Sequence, residues 1–211
     1  MSQFSVRLFT ALQQASFYYS VHEEAVALLP EGNGRNWLDV GCGPGLVTRL
    51  AARRRYRSLG VDSDSDMVTQ AEKLTLPYES TTRFLCGTVD YKHPEAPDYD
   101  VVSAASLLTV LPDRRQALQQ LFSHVAPKGQ LLIVETSARM TFINALHWCW
   151  QRRFPKGFGW LLLWAWVRGG RAVQARELAV PGSQTRCVEL MDGLVNAWII
   201  ERKALSQPRN R

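Results

Sequence analysis

Three glycines at alternate positions are the part of the sequence with the clearest chemical meaning. Gly41, Gly43 and Gly45 lie in the segment DVGCGPG, residues 39–45, between a short apolar segment and an amphipathic one. Glycine lets a backbone turn sharply and lets a ligand approach without a Cβ in the way. The free amides at the start of a following helix favour an anionic group, either a phosphate or a carboxylate. The segment therefore predicts a ligand-binding loop.

Two ligand classes use such a loop, and glycine spacing distinguishes them. The dinucleotide fingerprint Gly-x-Gly-x-x-Gly requires a glycine at position 46, where this chain has Leu46. Seventeen residues after Gly45, at the predicted end of the next strand, stands Asp62. A carboxylate at that place can accept both ribose hydroxyl protons. The pairing indicates a nucleoside site, and Leu46 disfavours the alternative of a nicotinamide-dependent oxidoreductase.

Hydrophobic periodicity predicts the elements that position these residues. Apolar segments predict strands at 36–40, 57–61, 83–86, 99–103 and 130–135, the last after a turn at 127–129. Helices are predicted at 21–29, at 46–55 and around Met67, Val68 and Ala71. Segments 187–191 and 194–201 predict an antiparallel C-terminal hairpin. The expected fold is α/β, a Rossmann-like doubly wound sheet, mostly parallel, with helices on both faces.

At these residues the chain resembles the class I S-adenosylmethionine-dependent methyltransferases, in particular the branch that acts on small molecules and lipids. WLDVGCGPG is similar to the first motif of that family and LGVDSDSDM to its acidic second-strand motif. RFLCGTVD, YDVVSAASLLTVLPD and VAPKGQLLIVE are similar to its adenine-side loop and its fourth-strand and fifth-strand segments. The resemblance covers about residues 20–137 and the terminal hairpin. It implies methyltransferase activity, S-adenosyl-L-methionine as cofactor and S-adenosyl-L-homocysteine (SAH) as product.

The resemblance also implies contacts to the methionine part of the cofactor. Gly41, Cys42 and Gly43 would line the methionine and ribose portion, and Asp39 would fix the loop. Ser103, at the end of the fourth strand, would lie near the methionine portion.

Further contacts are implied to the nucleoside. Asp62 would bind the ribose hydroxyls, while Ser63 and Met67 would flank the adenine. Three residues would contact the adenine edge, the first two largely through backbone and the third through its carboxylate: Thr88, Val89 and Asp90. An N-terminal aromatic residue, Tyr19 or its neighbour Tyr18, would cover the cofactor.

No side chain is predicted to be catalytic and no metal site is predicted. An activated methyl carbon needs mainly a nucleophile held in line at roughly 3 to 3.5 Å. The histidines at 22, 93, 124 and 147 titrate near neutral pH, but none is singled out as a base. Four widely spaced cysteines without a Cys-x-x-Cys pattern favour neither zinc nor disulfides. A catalytically silent cofactor-binding scaffold protein is therefore a second alternative function.

Charge and aromatic residues concentrate towards the C-terminus. The chain has 25 Lys and Arg and 19 Asp and Glu, a net charge of +6. Residues 139–211 alone hold 12 Lys and Arg and 4 Asp and Glu, a net charge of +8. Five of the seven tryptophans lie between positions 148 and 166, within a stretch at 139–171 that has no acidic residue. Three interpretations of this stretch are open: core packing, a lid over a small lipophilic or aromatic acceptor, and peripheral contact with an anionic membrane.

Length and composition predict one domain spanning residues 1–211, with the aromatic and basic stretch at 139–171 as its insert and substrate lid. The N-terminus has no basic segment followed by an apolar core. The longest nearly uninterrupted apolar run has ten residues, about half of what a membrane span needs. We therefore expect a cytoplasmic protein. Residues 103–106 read Ser-Ala-Ala-Ser, unlike the corresponding motif of nucleic-acid methylases, so nucleic acid is not an expected partner. The oligomeric state is not predicted.

Overall fold

A seven-stranded mixed sheet forms the centre of the computed structural model, which describes residues 3–75, 81–90 and 98–203. The strands are β1 (Asn36–Val40), β2 (Arg57–Asp62), β3 (Thr82–Cys86), β4 (Tyr99–Ala105), β5 (Val125–Thr136), β6 (Ser183–Leu190) and β7 (Val195–Arg202). Their order is β3-β2-β1-β4-β5-β7-β6, and only the β5–β7 and β6–β7 pairs are antiparallel. The predicted fold class is confirmed.

Helices cover both faces of this sheet. They are α1 (Gln3–Gln14), α2 (Ser16–Ala27), α3 (Leu46–Arg53), α4 (Ser65–Leu74), α5 (Arg114–Ser123), α6 (Phe142–Gln151) and α7 (Phe158–Arg168). Side chains alternate along each strand, so Trp37 and Leu132 pack under α2, α3, α6 and α7, while Leu38 and Leu131 pack with α5. In the part of the chain that the structure describes, no helix is both long and apolar enough to cross a membrane.

Local side-chain chemistry explains where several helices begin. The Asp64 carboxylate accepts from the Asp66 N–H at 2.9 Å at the start of α4, and Asp113 accepts from Gln116 at 2.9 Å at the start of α5. Thr141 caps α6 in the same way. These caps satisfy N–H groups that have no partner within their own helix.

Several elements differ from the sequence-based expectation. α1 and α5 were not predicted, α2 begins at Ser16 rather than at residue 21, and β6 begins at Ser183 rather than at residue 187. β5 begins at Val125, so the segment predicted as a turn at 127–129 is an irregularity inside a strand. Tyr99 pairs with Val125 and Val101 with Gln130, which leaves extra residues on β5. A Cβ on Gly129 would lie 2.8 Å from the Asp100 carbonyl oxygen, so the close approach of these strands requires glycine there.

The sheet order reverses direction between β1 and β4. From β1 the chain proceeds outward to β2 and β3, then returns to β4 on the other side of β1. In open α/β sheets a ligand crevice forms at the carboxyl ends of the strands at such a reversal. The glycine loop follows β1 directly, so this topology places it at the crevice.

Candidate functional site

The loop after β1 is held tightly against the end of β2. The N–H groups of Gly41 and Cys42 both donate to the Val61 carbonyl, at 2.8 and 3.1 Å. Gly41 has a φ of +70°, which L side chains disfavour, and a Cβ there would lie 2.8 Å from Leu107 Cδ1. The loop conformation therefore depends on glycine at this position, and α3 starts immediately after Gly45.

The Asp62 carboxylate lies at the end of β2 and faces the same loop. Its Oδ2 accepts from the Gly43 N–H at 2.8 Å, and its Oδ1 accepts from the Asp64 N–H at 3.0 Å. A carboxylate oxygen has two acceptor positions, so each oxygen can accept one further hydrogen bond. The structure thus brings together the two features that the sequence singled out, the glycine loop and the half-buried Asp62.

A buried polar chain lies behind the loop and joins β1, β4 and α3. Asp39 is 1% exposed and accepts from the Thr48 hydroxyl and from the Ser103 hydroxyl, each at 2.7 Å. Ser103 in turn accepts from the Trp37 indole N–H at 2.7 Å. Burial raises the pKa of Asp39 from 3.8 to about 6, although both hydroxyl bonds lower it. The carboxylate lies at the end of β1, where it can hold the loop and attract a cation.

A small cavity opens between Asp39 and α2. It has about 20 Å³ of internal space, room for about one water molecule. The following residues line it: Gln13, Tyr18, His22, Asp39, Gly41, Cys42, Val47 and Ala105. The Gln13 side chain closes one side, because its Oε1 accepts from the Leu46 N–H at 3.2 Å. Gln13 thus occupies the N-terminus of α3, which the sequence predicts to favour an anionic group.

Of the two adjacent tyrosines, Tyr18 faces this cavity. Its ring stacks on His22 with centroids 4.1 Å apart and meets the Trp164 ring at 5.1 Å. Burial raises the pKa of Tyr18 to about 12, so it is a neutral phenol. Tyr19 instead points outward, where it donates to Glu23 at 3.2 Å and accepts from Arg53 at 2.9 Å. Covering of the cofactor by Tyr19 stays a prediction.

His22 is a candidate binding residue that the sequence reasoning did not select. Its Nδ1 lies 2.7 Å from the Tyr18 carbonyl oxygen, which can only accept, so Nδ1 carries the proton. Nε2 is then an acceptor, and it is buried without a hydrogen-bond partner among the described residues. Burial lowers the pKa of His22 to about 4, so the ring is neutral at pH 7. The four-residue spacing from Tyr18 on one helix face is the signal that could have found it.

The predicted adenine contacts lie around the ends of β2 and β3. The Gly87 N–H donates to the Asp62 carbonyl at 2.9 Å, which places the following segment beside the end of β2. There the Thr88 hydroxyl donates to the Asp90 carboxylate, and both residues are exposed. Among the other predicted contacts, Ser63 is exposed, Met67 is buried and Val89 is half-buried. The roles of these residues in binding adenine stay predictions.

A second buried polar network lies at the ends of β4 and β5. Arg168, from α7, donates through Nη1 to the Thr109 hydroxyl at 2.6 Å and through Nη2 to the Ser106 carbonyl at 3.0 Å. The Thr109 hydroxyl donates to Glu135 Oε2 at 3.2 Å, and the Leu108 N–H donates to Glu135 Oε1 at 2.7 Å. Burial raises the pKa of Glu135, and the Arg168 charge opposes that rise. These contacts fasten α7 to the loop that follows β4.

The aromatic stretch contributes both buried and exposed side chains. Trp148 and Trp164 are buried in the core, whereas Trp150 and Trp166 are 66% and 73% exposed. A cavity of about 570 Å³ lies between α2, α6 and the turn before β7. Because Ser16, Ser20 and Glu24 line it, α2 separates this cavity from the one at Gly41. Core packing therefore accounts for only part of the stretch.

Among the described residues, the remaining titratable candidates show no catalytic arrangement. His147 is exposed and contacts Gln151, His124 lies near the Val89 carbonyl, and His93 is outside the described residues. All four cysteines have free thiols. Within residues 3–75, 81–90 and 98–203, no three His, Cys, Asp or Glu side chains form a group that could hold a metal ion.

Comparison with known proteins assigns the family. The family model described as "Methyltransferase domain" matches residues 14–171, so the chain belongs to this family. It is a class I S-adenosylmethionine-dependent methyltransferase, and S-adenosylmethionine is its cofactor. The resemblance in the sequence motifs is confirmed, and the match extends beyond them on both sides.

Individual relatives are distant. The chain is 28% identical to trans-aconitate 2-methyltransferase of Azoarcus sp. (strain BH72) over 186 residues, 83% of this chain and 71% of that protein. It is 24% identical to ubiquinone biosynthesis O-methyltransferase of Coxiella burnetii over 98 residues, and the match spans only 42% of that relative. The solved structure of plantazolicin methyltransferase BpumL with SAH has a TM-score of 0.69 at 12% identity, covering 95% of this chain and 91% of that one, which shows a shared fold.

Proposed function

We propose that the protein transfers the methyl group of S-adenosylmethionine to a small lipophilic or aromatic acceptor. The observation that carries this proposal is the aromatic wall beside the cavity at Gly41. Tyr18 lines that cavity and is itself covered by Trp164, whose ring also lies 6.1 Å from Phe17. These rings would exclude water from the side of the site where the methyl group is transferred to an apolar acceptor.

The residues present fit the cofactor at its polar ends. The Asp62 oxygens keep free acceptor positions for two ribose hydroxyls. The methionine tail carries an ammonium group, a hydrogen-bond donor, and the neutral His22 Nε2 is a buried acceptor with no partner in the part of the chain that the structure describes. Asp39 lines the same cavity and adds negative charge. We therefore assign the ammonium end of the tail to His22 and Asp39.

The methionine tail needs more room than the cavity at Gly41 has. Gln13 is the side chain to rearrange, because its amide caps α3 without being part of the core. If Gln13 withdraws, the Leu46 N–H becomes available to the carboxylate of the tail, as expected for an anion at a helix N-terminus. In this proposal α1 adjusts when the cofactor binds, while the loop after β1 stays in place.

Bound at this site, the cofactor supplies a methyl carbon already activated by positively charged sulfur. The chain then has to orient the nucleophile and exclude water, which can supply much of the rate without a base. We propose that α6 and α7, within residues 139–171, act as the lid over the acceptor. Arg168 supports this role, because it fastens α7 to the loop after β4, next to the predicted methionine end of the site.

A second candidate acceptor is an organic acid, and Arg168 is the observation that favours it. Its buried guanidinium has donors beyond the two hydrogen bonds to Thr109 and Ser106, and a carboxylate is the usual partner of such a group. One relative is named a trans-aconitate 2-methyltransferase. Glu135 is linked to Arg168 by two hydrogen bonds that share the Thr109 hydroxyl, and its negative charge already balances the guanidinium. We therefore prefer the lipophilic acceptor.

An acceptor panel distinguishes these possibilities. The protein is incubated with S-adenosylmethionine and, separately, a long-chain phenol, a hydroquinone or a tricarboxylic acid, and SAH formation is quantified. We expect turnover with the phenol or hydroquinone. Turnover with the tricarboxylic acid alone would favour the second candidate. If calorimetry shows SAH binding while no acceptor is methylated, the cofactor-binding scaffold becomes the better description.

The role of His22 is tested by His22→Phe, which keeps an aromatic ring of similar size but removes the acceptor. We expect SAH to bind about tenfold more weakly, as for the loss of one hydrogen bond to a charged group. Adenosine, which has no methionine tail, should bind both proteins equally. Equal SAH affinity for both proteins would contradict the assignment.

A further inference from the structure

Exposed apolar side chains are concentrated on α6, α7 and the loop between them. Eight of the ten large apolar side chains that are exposed among the described residues belong to this region. They are Phe142, Ile143, Leu146, Trp150, Phe154, Phe158, Trp166 and Val167. With the exposed cations Arg153, Lys156 and Arg171, they form what we call the aromatic–basic face. A concentration of exposed apolar side chains of this kind usually marks an interaction site.

Helix geometry explains why the exposed side chains of α6 lie on one side of that helix. On α6, Phe142, Leu146 and Trp150 recur every fourth residue, whereas Ala145 and Cys149 are buried on the opposite side. α7 is apolar on all sides, and a helix of that kind is normally covered by other structure. Trp166 and Val167 nevertheless remain exposed. The described part of the chain leaves this face uncovered.

The cations on this face have no ion-pair partners among the residues that the structure describes. The side chains of Arg153, Lys156 and Arg171 form no ion pair with any residue in the described ranges, whereas Arg152 is paired with Asp192 at 2.9 Å. No acidic residue occurs anywhere between positions 139 and 171. The face therefore carries an unbalanced positive charge beside its apolar side chains.

The loop between the helices holds two of these side chains in an unfavourable backbone conformation. Arg153 and Phe154 both have a φ of +53°, a backbone region that residues other than glycine rarely adopt. Phe154 packs edge-on against Phe158, with centroids 5.2 Å apart. Such conformations tend to occur at functional sites. Here a cation and an aromatic ring are presented side by side at the end of the helical hairpin.

We propose that the aromatic–basic face docks the protein on the surface of an anionic lipid bilayer. Tryptophan prefers the interface between headgroups and acyl chains, and Arg and Lys beside it can reach lipid phosphates. A second copy of the chain fits less well. A symmetric dimer brings the same patch of both copies together, so Arg153 and Lys156 would face like charges with no acid from 139–171 to balance them.

Vesicle co-sedimentation tests this proposal with the full chain. At low salt we expect retention on vesicles of phosphatidylcholine with phosphatidylserine, and much less on pure phosphatidylcholine. Arg153→Gln with Lys156→Gln should weaken binding about thirtyfold, and added salt should weaken it further. The matched control is Arg115→Gln with Arg176→Gln, two exposed cations on the other face of the sheet, which should bind like the unchanged protein.

The apolar contribution is tested by Trp150→Gln with Trp166→Gln. We expect loss of retention, with SAH affinity unchanged because neither residue lines the cavity at Gly41. Unaltered SAH affinity also shows that the variant is folded. Absence of retention at low salt, or equal retention of the Arg153/Lys156 variant and its control, would overturn the proposal. So would a dimer in sedimentation velocity that the tryptophan substitutions dissociate.

Discussion

Asp39 should make the stability of the cofactor-free protein depend on pH in a specific way. The carboxyl group is 1% exposed, and its two hydrogen bonds to Thr48 and Ser103 only partly offset the cost of burying a charge. Its pKa is accordingly raised from 3.8 to about 6. Asp39→Asn removes the charge and keeps the shape, so it isolates this effect.

The size and sign of the change in stability with pH follow from proton linkage. Because the folded-state pKa is the higher one, the protonated form is favoured by folding. This stabilising contribution is complete below about pH 3.8 and is lost as the pH rises through about 6. The pKa difference corresponds to about 3 kcal/mol. The free energy of unfolding of Asp39→Asn should therefore rise by about 2.4 kcal/mol relative to the natural protein between pH 4 and pH 7, because the rest of the change falls below pH 4.

Urea unfolding of both proteins without cofactor, at several pH values, measures this difference. Ser103→Ala is a useful companion, since removal of one hydroxyl donor should raise the pKa of Asp39 further and move the transition to higher pH. Parallel stability curves for Asp39→Asn and the natural protein across this range would refute the reasoning. The same ionisation should couple to binding: SAH affinity should fall below about pH 6, because the ammonium of its tail favours the charged carboxylate.

Three further substitutions test the other parts of the site. Gly41→Ala should cost about 1–2 kcal/mol in backbone conformation and press on Leu107, which lowers both the melting temperature and SAH affinity measured by calorimetry. Asp62→Asn should weaken SAH binding about 10- to 100-fold, whereas the exposed Asp66→Asn should not. Arg168→Met should destabilise the protein by about 3–5 kcal/mol in urea unfolding by leaving Glu135 buried without its cation, and Glu135→Gln in the same chain should restore most of that loss.

The features predicted well from sequence are those with short-range signals. β1 was predicted with its observed bounds, Asn36–Val40, because an apolar segment ends at a glycine loop. Gly43 and Asp62 meet because parallel strands place their carboxyl ends at one edge. The C-terminal hairpin was predicted within a few residues, since Asp192-Gly193 marks its turn.

The features that were missed depend on contacts distant in sequence. Phe17, Tyr18 and Tyr19 are consecutive aromatic residues, so their sequence does not show which one points inward. Each successive residue of a helix rotates by about 100°, and the packing of Trp164 against Tyr18 selects that side. Arg168 likewise has no acidic partner within the insert, because Glu135 comes from the end of β5. Neither relationship is visible before the chain is folded.

The two main-chain hydrogen bonds to Asp62 affect how much conformational entropy is lost when a nucleoside binds. The Gly43 and Asp64 N–H groups hold both carboxylate oxygens, so the side chain has already lost its rotamer freedom. Preorganisation of this kind reduces the conformational entropy lost on association. A fragment of the cofactor that contains only the sugar and base therefore keeps all of its hydrogen bonds to Asp62. The difference between the binding free energies of the intact cofactor and of this fragment gives the contribution of the amino-acid tail.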